Sequence, residues 1–214
     1  MTGASRLRYN WSEARAHLRD RCPALRRFID AYGAGRYAVG RGMDNFQALV
    51  RSIAYQQLSG KAAGTIHGRF LDLFDNRCAT PDATLALGVE PLRSVGLSRA
   101  KTVSILDLAQ HFVDGRIPST RTLGRLDDEA VMERLCRVRG IGPWTAQMHL
   151  IFHLGRPDVM PATDLGVQRG VMHVHGLDAL PTPRAVLDHS THLAPFRSAA
   201  AWYFWRASET APPG

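Results

Sequence analysis

An all-α fold, one unit folded as two helical lobes, is what this sequence predicts, on three observations. Apolar residues recur at three- and four-residue steps through every long segment. No segment alternates with a two-residue period, and the stretches between are short and rich in turn-forming residues. With 214 residues, 45% of them apolar, the chain can bury one good core or a core shared by two small lobes.

In order along the chain, "DNFQALVRSIAYQQLS" (44–59) reads as a helix capped by Asp44, with Phe46, Leu49, Val50 and Ile53 on one face. "GKAAGTIHGRFLDLF" (60–74) brings Ala62, Ala63, Ile66, Phe70 and Leu73 to a second face, where small residues allow close helix approach. "SRAKTVSILDLAQHF" (98–112) starts at a capping Ser98 and aligns Val103, Leu106 and Ala109. "DDEAVMERLCRV" (127–138) offers acidic caps at Asp127 and Asp128, then Val131, Leu135 and Val138, predicting a helix that ends near Arg139. Turn formers mark loops at 75–82, 114–122 and 155–163. The predicted unit covers 1–208, and 209–214 is expected to be a disordered tail.

Charge narrows the partners. Twenty-seven Lys and Arg against nineteen Asp and Glu give +8 at pH 7, an excess that favours a polyanion, nucleic acid first. Three scattered cysteines, Cys22, Cys78 and Cys136, fit neither a disulfide framework nor a paired-cysteine zinc site and are expected to be buried free thiols. No run approaches the roughly 18 consecutive apolar residues of a membrane span. The start "MTGASRLRYNW" lacks the apolar core of a signal peptide, so a cytoplasmic location is expected. Of the nine histidines, His173 and His175 stand two apart on a predicted helix and point to different faces, which argues against shared metal ligation.

The most informative stretch is "RVRGIGPWTAQMHL" (137–150). Gly140 and Gly142 can take backbone angles closed to other residues, and Pro143 suits the first position of a new helix, so a helix-hairpin-helix is predicted over about 128–154. The N–H groups of such a turn lack intrahelical partners and can bind a phosphate, the glycines letting a DNA backbone come close. Gly140, Gly142 and Thr145 are the candidate backbone-binding positions, with Arg139 and Lys101 as the candidate basic contacts. Read by itself, the G-x-G is more often an ordinary helix connection.

"GIGPWTA" followed by "MPATDLGVQRG" resembles the helix-hairpin-helix DNA glycosylase superfamily, and most closely its 3-methyladenine DNA glycosylase II branch. "IAYQQLSGKAA" (53–63) and "VGLSRAKTVSILDLA" (95–109) extend the likeness over about residues 40–205. Larger bacterial members add an N-terminal mixed α/β domain, so the resemblance implies a compact form with two helical lobes and a DNA-binding cleft. It implies excision of alkylated bases of the 3-methyladenine and 7-methylguanine type from double-stranded DNA, by a monomer.

Residue by residue, the family's catalytic aspartate falls on Asp164. Thr163 is read as the cap of a helix beginning there, which would surround the carboxylate with N–H groups that favour its ionised form. A plain helix cap is the other reading of the same aspartate. The resemblance puts the base pocket at Trp144, Met148, Leu165 and Phe196, and the side chain that fills the gap left by a flipped base at Gln57 or Leu58. Met148 and Leu165 stand where the larger bacterial enzyme carries aromatics, while Trp202, Tyr203 and Trp205 are read as core packing.

Relatives that also cut the strand carry a lysine where Trp144 stands, so the likeness implies a monofunctional enzyme. It further implies no cofactor: relatives with an iron–sulfur cluster have four closely spaced cysteines that are not found here, although hairpin carbonyls of the family can hold a monovalent cation. Two other readings stay open, a non-catalytic helix-hairpin-helix module that binds DNA and a glycosylase for deaminated or oxidised bases.

Overall fold

The computed structural model describes residues 7–33, 35–40 and 42–210. Thirteen helices run through them: α1 (Trp11–Arg21), α2 (Pro23–Tyr32), α3 (Asn45–Tyr55), α4 (Gly60–Leu71), α5 (Pro81–Leu87), α6 (Val89–Ser94), α7 (Arg99–Val113), α8 (Thr120–Leu123), α9 (Asp128–Cys136), α10 (Pro143–Phe152), α11 (Leu165–His175), α12 (Pro183–Ser190) and α13 (Arg197–Glu209). Among the described residues there is no strand, and no helix is long and apolar enough to cross a membrane. The predicted all-α class is what the chain adopts. It divides into two compact units. Gly40–His149 form the first; the described residues up to Val39, with those from Leu150 onward, form the second.

In the first unit, α3 begins with a reciprocal cap: Asp44 accepts from the N–H of Gln47, whose side chain accepts from the N–H of Asp44. Phe46, Leu49, Val50 and Ile53 are buried as the spacing predicts. Asp127 caps α9, and Val131, Leu135 and Val138 enter the core. Two predicted faces are corrected. On α7 the buried residues are Thr102, Ser104, Ile105, Leu108, Ala109 and His111, while Val103 and Leu106 are only half-buried. Thr102 and Ser104 are small enough to sit inside, so the buried stripe follows close packing rather than apolarity alone. On α4, Ala63 and Phe70 are buried but Ala62 is exposed, because only one side of this helix is covered. A buried polar pair that apolar periodicity does not signal, His149 Nε2 to Asn45 Oδ1 at 3.1 Å, ties α10 to α3.

The second unit centres on α11 packed against α13, the most extensive helix pair among the described residues. Gly170 is the reason they come so close: a Cβ built there would lie 1.9 Å from the carbonyl oxygen of Phe204. Trp202 and Tyr203 are core, as predicted, and Trp11 of α1 meets both rings, edge-on at 5.4 Å and stacked at 5.9 Å. Helix α13 continues through Glu209, so that residue belongs to the helix and not to the predicted tail; residues 211–214 lie outside the described residues. Of the thiols, Cys22 is buried, but Cys78 and Cys136 are exposed because they fall in a turn and at a helix end.

Candidate active site

The hairpin belongs to the first unit. Helix α9 stops at Cys136, slightly earlier than predicted, and a turn carries the chain to Pro143 at the first position of α10. Gly140 has φ 79°, and a Cβ there would stand 2.3 Å from Ser104 Oγ, so glycine is required twice over. Gly142 corrects the prediction, since it is outside the left-handed region and faces open space. Its carbonyl accepts from the N–H of Ala146 at 3.1 Å, which makes it the residue that opens α10. The first turn of α10 therefore presents N–H groups with no carbonyl of its own helix to bond. The N–H of Arg139 donates to Asp107 Oδ2 at 2.7 Å, anchoring the turn on α7 while the Arg139 residue stays exposed.

Beside the hairpin lies the turn after α3. Gln56 Nε2 donates to the carbonyl of Gly140 at 3.0 Å and to Thr145 Oγ1 at 3.4 Å. Lys101 Nζ donates to the carbonyls of Ala54 at 2.9 Å and Gln56 at 2.7 Å, and partial burial lowers its pKa. Two expectations change here. The Thr145 side chain is buried under Gln56, which leaves only its backbone for a phosphate, and the Lys101 ammonium serves as a brace for the turn. With Gln56 held inward, Gln57 is exposed in the left-handed region at φ 55°, and Leu58 is 41% exposed. A non-glycine residue there costs on the order of 1 kcal/mol, a strain that the bracing from Gln56 and Lys101 sustains. Trp144 projects from the first turn of α10 with 44% exposure, and Met148, one turn on, is half-buried.

Asp164 belongs to the second unit, where it is itself the N-cap of α11; Thr163, predicted to hold that place, is exposed one residue earlier. The difference follows from the turn before it. Ala162 N–H donates to Met160 O and Asp164 N–H to Pro161 O, both at 2.9 Å, which brings the carboxylate over the helix start. Asp164 Oδ1 accepts from the N–H of Val167 at 2.9 Å and from Trp205 Nε1 at 2.8 Å. Trp205 is thus more than the core packing read from the sequence, and its ring also lies 5.5 Å from Phe152. The loop leading to Asp164 is fastened by a fork from Arg197 to Asp158 at 2.7 and 2.8 Å, and by Ser198 Oγ, which accepts from Val159 N–H at 3.0 Å. Nothing in local spacing signals that clamp, because its partners are 39 residues apart. Leu165 is 48% exposed at the start of α11, and Phe196 is half-buried against Tyr9 at 5.8 Å and His17 at 5.3 Å.

An all-helical chain with a glycine hairpin that offers N–H groups outside the helical ladder, and a helix-capping carboxylate downstream, defines a helix-hairpin-helix protein of DNA repair type. Residues 50–195 match the HhH-GPD superfamily of base excision DNA repair proteins, and the chain belongs to that superfamily. It is 41% identical to DNA-3-methyladenine glycosylase 1 of Schizosaccharomyces pombe over 83% of this chain and 79% of that protein. Among solved structures it resembles the 3-methyladenine DNA glycosylase Mag1 of the same yeast in complex with abasic DNA, with a TM-score of 0.85, 37% identity, and coverage of 94% of this chain and 99% of that one. A DNA-3-methyladenine glycosidase from Bacillus halodurans is similar at a TM-score of 0.83 and 31% identity, over 95% and 91% of the two chains.

Proposed function

We propose that this protein is a monofunctional DNA glycosylase that hydrolyses the N-glycosidic bond of alkylated bases, of the 3-methyladenine and 7-methylguanine type, in the first step of base excision repair. The observation that carries the reading is the Asp164 carboxylate, held at the start of α11 by two N–H donors downstream of the glycine hairpin. A module that only binds DNA has no use for a fixed negative charge, which repels phosphate.

The hairpin grips the DNA backbone through the N–H groups around Gly142 and Thr145, and Gln57 or Leu58 enters the space vacated by the flipped nucleotide. Trp144 and Met148 of α10 receive the base, the indole through stacking and cation–π attraction; Leu165 and Phe196 remain the base contacts that the family resemblance implies. As the bond between sugar and base breaks, positive charge grows on the deoxyribose. Asp164 stabilises that charge and orients the attacking water, whose proton it accepts, while a cationic base departs as a neutral molecule without needing a strong acid. The products are the free base and an abasic site.

Trp144 has no amine to form a Schiff base, so the strand stays intact. The chemistry written this way calls on no iron–sulfur cluster or other cofactor, and a monovalent cation on hairpin carbonyls would be structural. Double-stranded DNA is the partner, and the enzyme works inside the cell as a monomer.

The test is chromatography of bases released from methylated duplex DNA by the wild type and by Asp164→Asn. Release by the wild type, lost in the variant while DNA binding stays equal or tightens, is expected. Normal turnover by Asp164→Asn overturns the mechanism, and release confined to deaminated or oxidised bases moves the substrate class.

A further inference from the structure

We infer that Trp205 is a positioning residue for Asp164: its indole N–H, with the room left by Gly166, sets the orientation of the carboxylate, an inference that rests on the proposed role of Asp164.

Three observations converge. Trp205 Nε1 lies 2.8 Å from Asp164 Oδ1, the same oxygen that accepts from the N–H of Val167 at 2.9 Å. Two donors on one oxygen fix the rotation of the carboxylate as well as its position, which a lone helix cap does not do. Second, the indole is itself held in place, with Phe152 tilted against it at 5.5 Å and Tyr37 packed on Phe152 at 5.1 Å. Third, Gly166 stands where any side chain would intrude. A Cβ there would be 2.8 Å from Trp205 Cδ1 and 3.1 Å from Asp164 Oδ1, so the glycine keeps the indole and the carboxylate in contact.

A donor fixed before the reaction contributes at the moment charge develops, because no reorganisation is then needed. The indole suits that role, since it donates, cannot accept, and has no charge that would neutralise the carboxylate.

The experiment compares Trp205→Phe, which keeps a ring and loses the N–H, with wild type, Asp164→Asn and the double variant. Single-turnover base release, DNA affinity and the indole N–H resonance of Trp205 are measured for each. Trp205→Phe is expected to lower the release rate about 10- to 100-fold with DNA affinity within about twofold. It should cause no further loss when Asp164 is already Asn, because the two groups act as one. The Trp205 resonance should shift in Asp164→Asn, where an amide replaces the carboxylate. Gly166→Ala provides a second route to the same loss, through displacement of the ring.

Wild-type release by both Trp205→Phe and Gly166→Ala, an equal loss in the two Asp164 backgrounds, or an unmoved resonance each overturns the inference. Full activity in Asp164→Asn is a different outcome. It removes the reading of Asp164 itself, and the inference falls with it.

Discussion

Replacing Gly170 with alanine tests whether the contact between α11 and α13 sets the candidate catalytic geometry. In an open helix the change would stabilise by about 1 kcal/mol, through propensity alone. Here the added Cβ would meet the Phe204 carbonyl oxygen at 1.9 Å, the carbonyl carbon at 2.4 Å and the Cα at 2.6 Å, all backbone atoms that cannot swing aside. A carbon needs about 3.3 Å from a carbonyl oxygen, so the helices must part by roughly 1.4 Å. Gaps of that size forfeit much of the dispersion contact along the interface. The net cost is expected to be about 2–4 kcal/mol, or about 5–15 °C in Tm for a chain of this size. Function should suffer beyond stability, because Asp164 caps one of these helices and Trp205 stands on the other. Parting them breaks their 2.8 Å bond, and a displacement near 1 Å can lower a rate about 100-fold. Thermal denaturation by circular dichroism and base release well below the transition are the assays. A Tm unchanged or raised in Gly170→Ala would refute the reasoning, since the helices would then have adjusted at no cost.

Gly140→Ala should weaken DNA binding by about 1–3 kcal/mol, because the residue has φ 79° and its Cβ meets Ser104; adding Ser104→Ala should restore only part, since the backbone strain remains. Affinity measured by fluorescence anisotropy with a duplex checks this, and full restoration would count against it. Lys101→Met removes the brace from the carbonyls of Ala54 and Gln56 and should lower base release more than DNA affinity. A selective loss of affinity would instead make Lys101 a phosphate contact. Acid should destabilise the fold over a defined window. Burial pushes His153 down to about 4 and, with His189 and His192 nearby, pushes His175 to about 4, from 6.5. The unfolded chain takes up these protons first, so their contribution is complete above 6.5 and is lost as pH falls towards 4. A plot of Tm against pH should drop through that range, and the drop should be shallower in His175→Gln, where only His153 of the two still contributes.

The helical class was legible because amphipathic spacing is local: the face of α3 and the cap at Asp127 need no information beyond a dozen neighbours. The hairpin was legible for the same reason, through two glycines and a proline. What spacing could not separate was the use of each glycine, since Gly140 is required by a contact with α7 and Gly142 by none of that kind. The faces of α4 and α7 were misread where Ala, Ser and Thr occur on both sides of a helix, so that apolarity no longer tells inside from outside. The supports of the site were illegible in principle. Trp205 to Asp164 spans 41 residues and Gln56 to Gly140 spans 84, and each is decided by tertiary folding. An aromatic-rich segment read only as packing therefore hid a hydrogen-bond donor.

The link from Gln56 to the hairpin carbonyl makes the first unit a gauge of fixed span. The turn that carries Gln57 is tied to the start of α10, because the Gln56 amide donates to both the Gly140 carbonyl and Thr145 Oγ1. Under the proposed function, whichever phosphate the N–H groups there held would determine which nucleotide the protruding side chain probes. Searching DNA then becomes a series of discrete trials, one per phosphate step, each at the same offset from the grip. Lengthening the turn after α3 by one residue would reset that offset and move the probed nucleotide relative to the phosphate contacts, a change visible in a footprint before any chemistry takes place.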